Sequence, residues 1–120
     1  MTTVLIVDDS KTARMMLKHW IKTHRPEDQL IEAGCGKDAV ELLPSLPEDS
    51  VAILDFNMPD MTGLELVEFV AEVIPRKRIC LCTANIQDAV RNRAESAGIN
   101  YVQKPITGKK VESILNLLVG

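Results

Sequence analysis

The sequence predicts an α/β domain: a parallel sheet covered by helices on both faces. Three observations carry that prediction. Short, continuous apolar runs such as Val4-Leu5-Ile6-Val7 and Val51-Ala52-Ile53-Leu54 read as strands buried on both sides. Between them lie segments whose apolar residues recur at helical spacing. The two kinds of segment alternate along the whole chain, which is the pattern of strands joined by crossover helices.

Length and composition set the outer bounds. With 120 residues, 46% hydrophobic and 26% charged, residues 1–120 form one globular domain with room for one core. A net charge of −3 argues against a nucleic-acid surface, which needs concentrated Lys and Arg. The three cysteines are an odd number and give no disulfide framework; Cys80 and Cys82 flank Leu81 in an apolar run and read as small core residues. The apolar run at Val4 to Val7 is too short for a signal peptide or a membrane span, so a cytoplasmic protein without membrane insertion is expected.

Each element has its own justification. Val4 to Val7 forms the first strand and ends on Asp8-Asp9. Ser10 is placed to cap a first helix, although Ala13 denies it the acidic partner of a full capping box. Ala13, Met16, Leu17, Trp20 and Ile21 make that helix's inner face, and Pro26 closes it. His19 and His24 have no carboxylate or cysteine at ligand spacing and read as structural or solvated. Gln29 to Ala33 is a short second strand. Ala39, Val40, Leu42 and Leu43 form a brief helix that stops at Pro44, and Ser45 to Ser50 is a surface loop.

The third strand, Val51 to Leu54, runs into Asp55. Thr62 or Asp60 caps the third helix, with Leu64, Val67, Ala71 and Ile74 inward and Glu65, Glu68 and Glu72 outward. Arg78 to Cys82 is the fourth strand, ending at Thr83-Ala84. Ile86 to Ala97 is a helix with a thin face of Ile86, Ala89, Val90, Ala94 and Ala97, and Gly98 supplies its left-handed cap. Asn100 to Gln103 is the fifth strand. After Lys104-Pro105, the residues Val111, Ile114, Leu115 and Leu118 define a last helix, with Leu117 off the stripe.

The strand ends hold the chemistry. Ligands of open α/β sheets bind beyond the carboxyl ends of the strands. Those ends carry Asp8 and Asp9, then Asp55, then Thr83, then Lys104. Asp55 alone could equally be a loop-starting Asp that bonds nearby amides. As a set, three carboxylates repel and raise one another's pKa unless a cation neutralises them. Hard oxygen ligands with vacancies for water suit Mg²⁺, and a hydroxyl and an ammonium opposite suit an anion with several oxygens. Carboxylate, Mg²⁺, hydroxyl and Lys describe phosphoryl transfer to an Asp nucleophile.

Asp8-Asp9, the stretch Asp55-Phe56-Asn57-Met58-Pro59-Asp60-Met61-Thr62-Gly63, Thr83-Ala84 and Lys104-Pro105 together resemble the receiver domain of two-component response regulators. The Asp55 stretch is most similar to that of single-domain chemotaxis regulators, whereas Ser10 to Arg14 is less so. The resemblance implies a doubly wound five-stranded parallel sheet in the order 2-1-3-4-5 with five helices, the flavodoxin-like arrangement. It implies that Asp55 accepts a phosphoryl group from a histidine kinase or a small phosphodonor. Asp9 and Asp55, with the carbonyl of Asn57, would hold Mg²⁺, and Asp8 would act through water. Thr83 and Lys104 would each bond a phosphoryl oxygen, across a cis Lys104–Pro105 bond.

Tyr101 matches the family's aromatic switch position; otherwise it is an edge-strand Tyr with its hydroxyl in water. Asn57 and Asn85 match positions that tune dephosphorylation. The signal would leave through helix 4, strand 5 and helix 5 to a downstream protein, and the chain would catalyse only its own phosphorylation and dephosphorylation. A receiver belonging to a larger transcription factor, enzyme or hybrid kinase is the main alternative. A phosphohydrolase usually carries a second Asp where Asn57 stands, and a flavodoxin-like carrier needs a phosphate-cradling loop where Asp8-Asp9 stands. A phosphorylation-independent scaffold is the remaining rival.

Overall fold

The computed structural model describes residues 2–84 and 88–119. Five strands, β1 (Thr3–Val7), β2 (Gln29–Ala33), β3 (Val51–Asp55), β4 (Ile79–Thr83) and β5 (Asn100–Gln103), form one parallel sheet in the order β2-β1-β3-β4-β5. Five helices connect and cover it: α1 (Lys11–His24), α2 (Gly36–Leu42), α3 (Gly63–Val70), α4 (Asp88–Ala97) and α5 (Gly108–Val119). The doubly wound order is the one expected. Among the described residues no helix is long and apolar enough to cross a membrane.

Alternation along each strand sorts the core into two layers. Leu5 and Val7, Ala52 and Leu54, and Ile79 and Leu81 pack with α2, α3 and α4 through Ala39, Leu66, Val67, Val70, Val90 and Ala94. Val4 and Ile6, Val51 and Ile53, and Cys80 and Cys82 pack against Leu17 and Ile21 of α1 and Val111, Ile114, Leu115 and Leu118 of α5. Cys80 and Cys82 are core residues, and the α5 stripe is buried at all four expected positions.

Local signals explain the helix ends. Ser10 accepts the Ala13 amide at 3.2 Å, and α1 has no acid in its first turn. Thr62, not Asp60, caps α3, in a capping box with Glu65. Gly98 ends α4 with φ +74°.

Several expectations shift. Met16 is 49% exposed, on the rim of the cavity at the strand ends, whereas Leu17 and Ile21 are buried. Leu66 and Val70 are fully buried, so α3 hides a wider arc than a single stripe, and Ala71 is only half-buried. Pro44 does not stop the chain's turn; Leu43–Ser45 continues α2 as one 3-10 turn, where a proline costs no required hydrogen bond. Ser50 is buried, its hydroxyl donating to the Pro47 carbonyl at 2.7 Å. Arg78 ends a 3-10 turn ahead of β4, and Ala89 is exposed. Asn85 and Ile86 lie outside the described residues.

Candidate functional site

Parallel register brings the polar strand ends to one edge. Val7 pairs with Leu54, so Asp8 and Asp55 follow side by side. Asp55 pairs with Cys82, and Thr83 with Gln103, so Thr83 and Lys104 stand one step further along. The Lys104 amide donates to the Thr83 carbonyl at 2.9 Å, holding the β5 end against β4. By alternation Asp8, Asp55 and Lys104 share the face of Ile6, Ile53 and Val102. Thr83 has the parity of Leu81 and is 2% exposed. The Lys104–Pro105 bond is cis, as the resemblance implied.

Lys104 Nζ lies 3.0 Å from Asp8 Oδ2 and 3.0 Å from Asp55 Oδ1. The other Asp8 oxygen accepts the Ser10 amide at 2.9 Å. Asp9 is exposed, yet one carboxylate oxygen from each of Asp8, Asp9 and Asp55 lies within 4.8 Å of the others. Burial pushes the Asp55 carboxyl above its usual range, and the charges of Asp8 and Asp9 add to this against the hydrogen bond and charge of Lys104. For Lys104, burial opposes the charge, but hydrogen bonds to Asp55 and Asp8 outweigh it and raise the ammonium's pKa. Three carboxylates against one ammonium leave excess negative charge around a half-open set of hard oxygens. That donor set fits Mg²⁺.

Beside Asp55 opens a cavity of about 190 Å³, with Asp8 and Lys104 on one wall and Ala13, Met16 and Ile106 on another. Cys82 also reaches it. Its thiol is hydrogen-bonded to Cys80 and buried, which pushes it well above the ordinary range, so it is no thiolate nucleophile. Asn57 is exposed and bridges antiparallel to Thr62. Tyr101, on edge strand β5, is 40% exposed, and His19 stands edge-on to Trp20, away from the strand ends.

Three supports were not evident in the sequence. Arg14 donates to the Asp8 carbonyl at 2.6 Å while its Nε reaches Glu32 at 3.0 Å. Gly63 sits so close to the Asp55 carbonyl that a Cβ there would meet the oxygen at 2.5 Å. Asp60 accepts two amides of α2. Of these only Gly63 left a signal, since a glycine opening a helix beside a buried strand marks close backbone approach.

Comparison with known proteins agrees with the geometry. The sequence model of the response regulator receiver domain matches residues 4–116. "Chemotaxis protein CheY" of Thermotoga maritima is 36% identical over 114 residues, covering 94% of this chain and 93% of that protein. "Chemotaxis protein CheY1" of Helicobacter pylori is 35% identical over 120 residues, covering 98% and 96%. Among solved structures, chemotaxis response regulator CheY4 of Vibrio cholerae superposes with a TM-score of 0.79 at 25% identity, covering 98% of each chain.

Proposed function

The chain belongs to the response regulator receiver domain family, and we propose that within it Asp55 is the residue that takes the phosphoryl group. It is a signalling switch of the two-component type, homologous to chemotaxis CheY proteins, and not a classical enzyme. The observation that carries the Asp55 assignment is the pairing of Lys104 with both Asp8 and Asp55 at 3.0 Å, inside a three-carboxylate cluster at the sheet edge.

A carboxylate oxygen of Asp55 attacks phosphorus of a phosphohistidine on a histidine kinase, or of a small acyl phosphate. A P–O bond to Asp55 forms, the donor's P–N or P–O bond breaks, and the leaving imidazole or carboxylate departs with the electron pair. Asp9, Asp55 and the Asn57 carbonyl, with Asp8 through water, would hold Mg²⁺, which would supply charge neutralisation for the phosphoryl oxygens. Lys104 gives up its hold on Asp55 to bond one phosphoryl oxygen, and the Thr83 hydroxyl donates to another.

Movement of Thr83 toward the phosphoryl group then frees space for Tyr101 to turn inward, which carries the event to α4, β5 and α5. Tyr101 and Leu117, the latter 65% exposed, line one groove between β5 and α5 together with Lys109 and Lys110. That groove supports an output face for a downstream protein partner in the cytoplasm. Phosphorylation by acetyl phosphate, compared between wild type and Asp55→Asn, tests the assignment.

A further inference from the structure

The loop that leaves Asp55 is closed on itself and tied to a neighbouring helix. It is closed by the Asn57–Thr62 bridge and by the Gly63 amide, which donates to the Phe56 carbonyl at 2.7 Å. The tie is Asp60. One of its oxygens accepts the Gly36 amide at 3.1 Å and the other accepts the Lys37 amide at 2.8 Å. These bonds, that of Lys37 first, hold the Asp60 carboxyl below the usual range although it is exposed. The residue preceding α2, Cys35, makes no side-chain capping bond, so Asp60 serves in its place. Met61 packs on the same turn so closely that a Cβ at Gly36 would meet its Cγ at 2.4 Å.

Arg14 also passes close to the turn between β2 and α2. A Cβ at Gly34 would stand 3.4 Å from Arg14 Nη1, the atom that donates to the Asp8 carbonyl. The Asp8 amide donates to the Ala33 carbonyl at 3.2 Å, so the stretch from Ala33 to Lys37 meets both the backbone at Asp8 and the loop after Asp55.

We propose that Asp60 is a positioning residue for the metal-binding cluster: its bonds to Gly36 and Lys37 fix the loop that carries Asn57 relative to Asp8, Asp9 and Asp55. The inference rests on the reading of that cluster as a Mg²⁺ site. A carboxylate that only capped α2 would affect stability and leave Mg²⁺ affinity of the folded protein unchanged. A carboxylate that positions the loop alters the affinity itself, as outer-shell partners of metal ligands do.

Titration calorimetry of the whole chain with MgCl₂ separates the two. Asp60→Ala weakens Mg²⁺ binding about tenfold, the scale of an outer-shell loss. Asp60→Asn, which keeps one acceptor oxygen, gives a smaller loss and is the variant read where the alanine form does not fold. Asp38→Ala removes a negative charge from the same first turn of α2 and leaves the affinity as it was. Amide exchange at Gly36 and Lys37 quickens in both Asp60 variants. Wild-type affinity in either Asp60 variant, or the same loss in Asp38→Ala, overturns the positioning role. A wild-type protein that takes up no Mg²⁺ overturns the metal reading and this inference with it.

Discussion

Lys104 reaches Asp55 from two strands away, its ammonium nitrogen 3.0 Å from the carboxylate oxygen, with β4 lying between them. The pair raises the ammonium's pKa, so its stabilising effect is complete below the ordinary value of 10.5 and is lost as pH rises through the higher folded value. Melting temperatures followed upward past pH 10.5 therefore fall more in wild type than in Lys104→Met. Parallel curves for the two proteins would show that the pair contributes nothing to the folded state.

At Asp55 it is the charged form that the fold disfavours. Its folded pKa lies above the unfolded one, so ionisation at neutral pH weakens the metal-free fold, and lowering the pH through the folded value relieves this. Asp55→Asn therefore melts higher than wild type at neutral pH without metal. The difference closes as the pH falls toward 3.8, the ordinary Asp value. A lower melting point for the variant at neutral pH would mean that Lys104 gains more from the ionised Asp55 than burial takes away.

Mg²⁺ acts on the same crowding. Binding only the folded state, it stabilises by about 2.7 kcal/mol at a hundredfold excess over Kd. Asp9→Asn removes one repelling charge, so the metal-free variant melts higher than wild type while its Mg²⁺ affinity falls. Identical melting curves with and without Mg²⁺ in both proteins would contradict the metal site.

Gly63 leaves no room for a side chain. A Cβ would meet the Asp55 carbonyl oxygen at 2.5 Å and Leu81 Cδ1 at 2.4 Å, and only the leucine can give way. Gly63→Ala costs about 1–3 kcal/mol, the range of core overpacking, and shifts the backbone of Asp55. Urea unfolding measures the first effect and amide chemical shifts the second; a fully stable variant with wild-type shifts would refute the contact.

Among the described residues α4 buries only Val90 and Ala94 in full, so little apolar packing holds it in place. Beryllofluoride, a phosphoryl mimic, should shift the amides of Asp88 to Ala97 and of Tyr101 far more than those of α2, which Asp60 and Met61 hold. Changes confined to the Asp55 strand end, or spread evenly, would remove α4, β5 and α5 as the output face.

The parts legible in the sequence are those set by local pattern. β2 and β5 begin and end where alternation and flanking residues place them, and the α5 stripe is buried in full. The cluster of Asp8, Asp9, Asp55 and Lys104 follows from parallel strands ending on polar residues. Asp60 shows where local reading stops. The sequence leaves it as an alternative cap for the helix three residues on, but Thr62 takes that place and Asp60 caps α2, 24 residues earlier in the chain. Nothing in its neighbours encodes a bond of that span. Met16 lies on the helical stripe of Leu17 and Trp20, yet periodicity cannot say that it stands on the rim of the cavity at the strand ends.

The identity of the phosphoacceptor is tested most directly by intact mass of the protein after incubation with acetyl phosphate and Mg²⁺. Wild type gains one phosphoryl group, removed by alkali or hydroxylamine as an acyl phosphate must be, and Asp55→Asn gains none. An adduct of equal yield on Asp55→Asn, or one mapped to His19 or His24, would contradict the assignment.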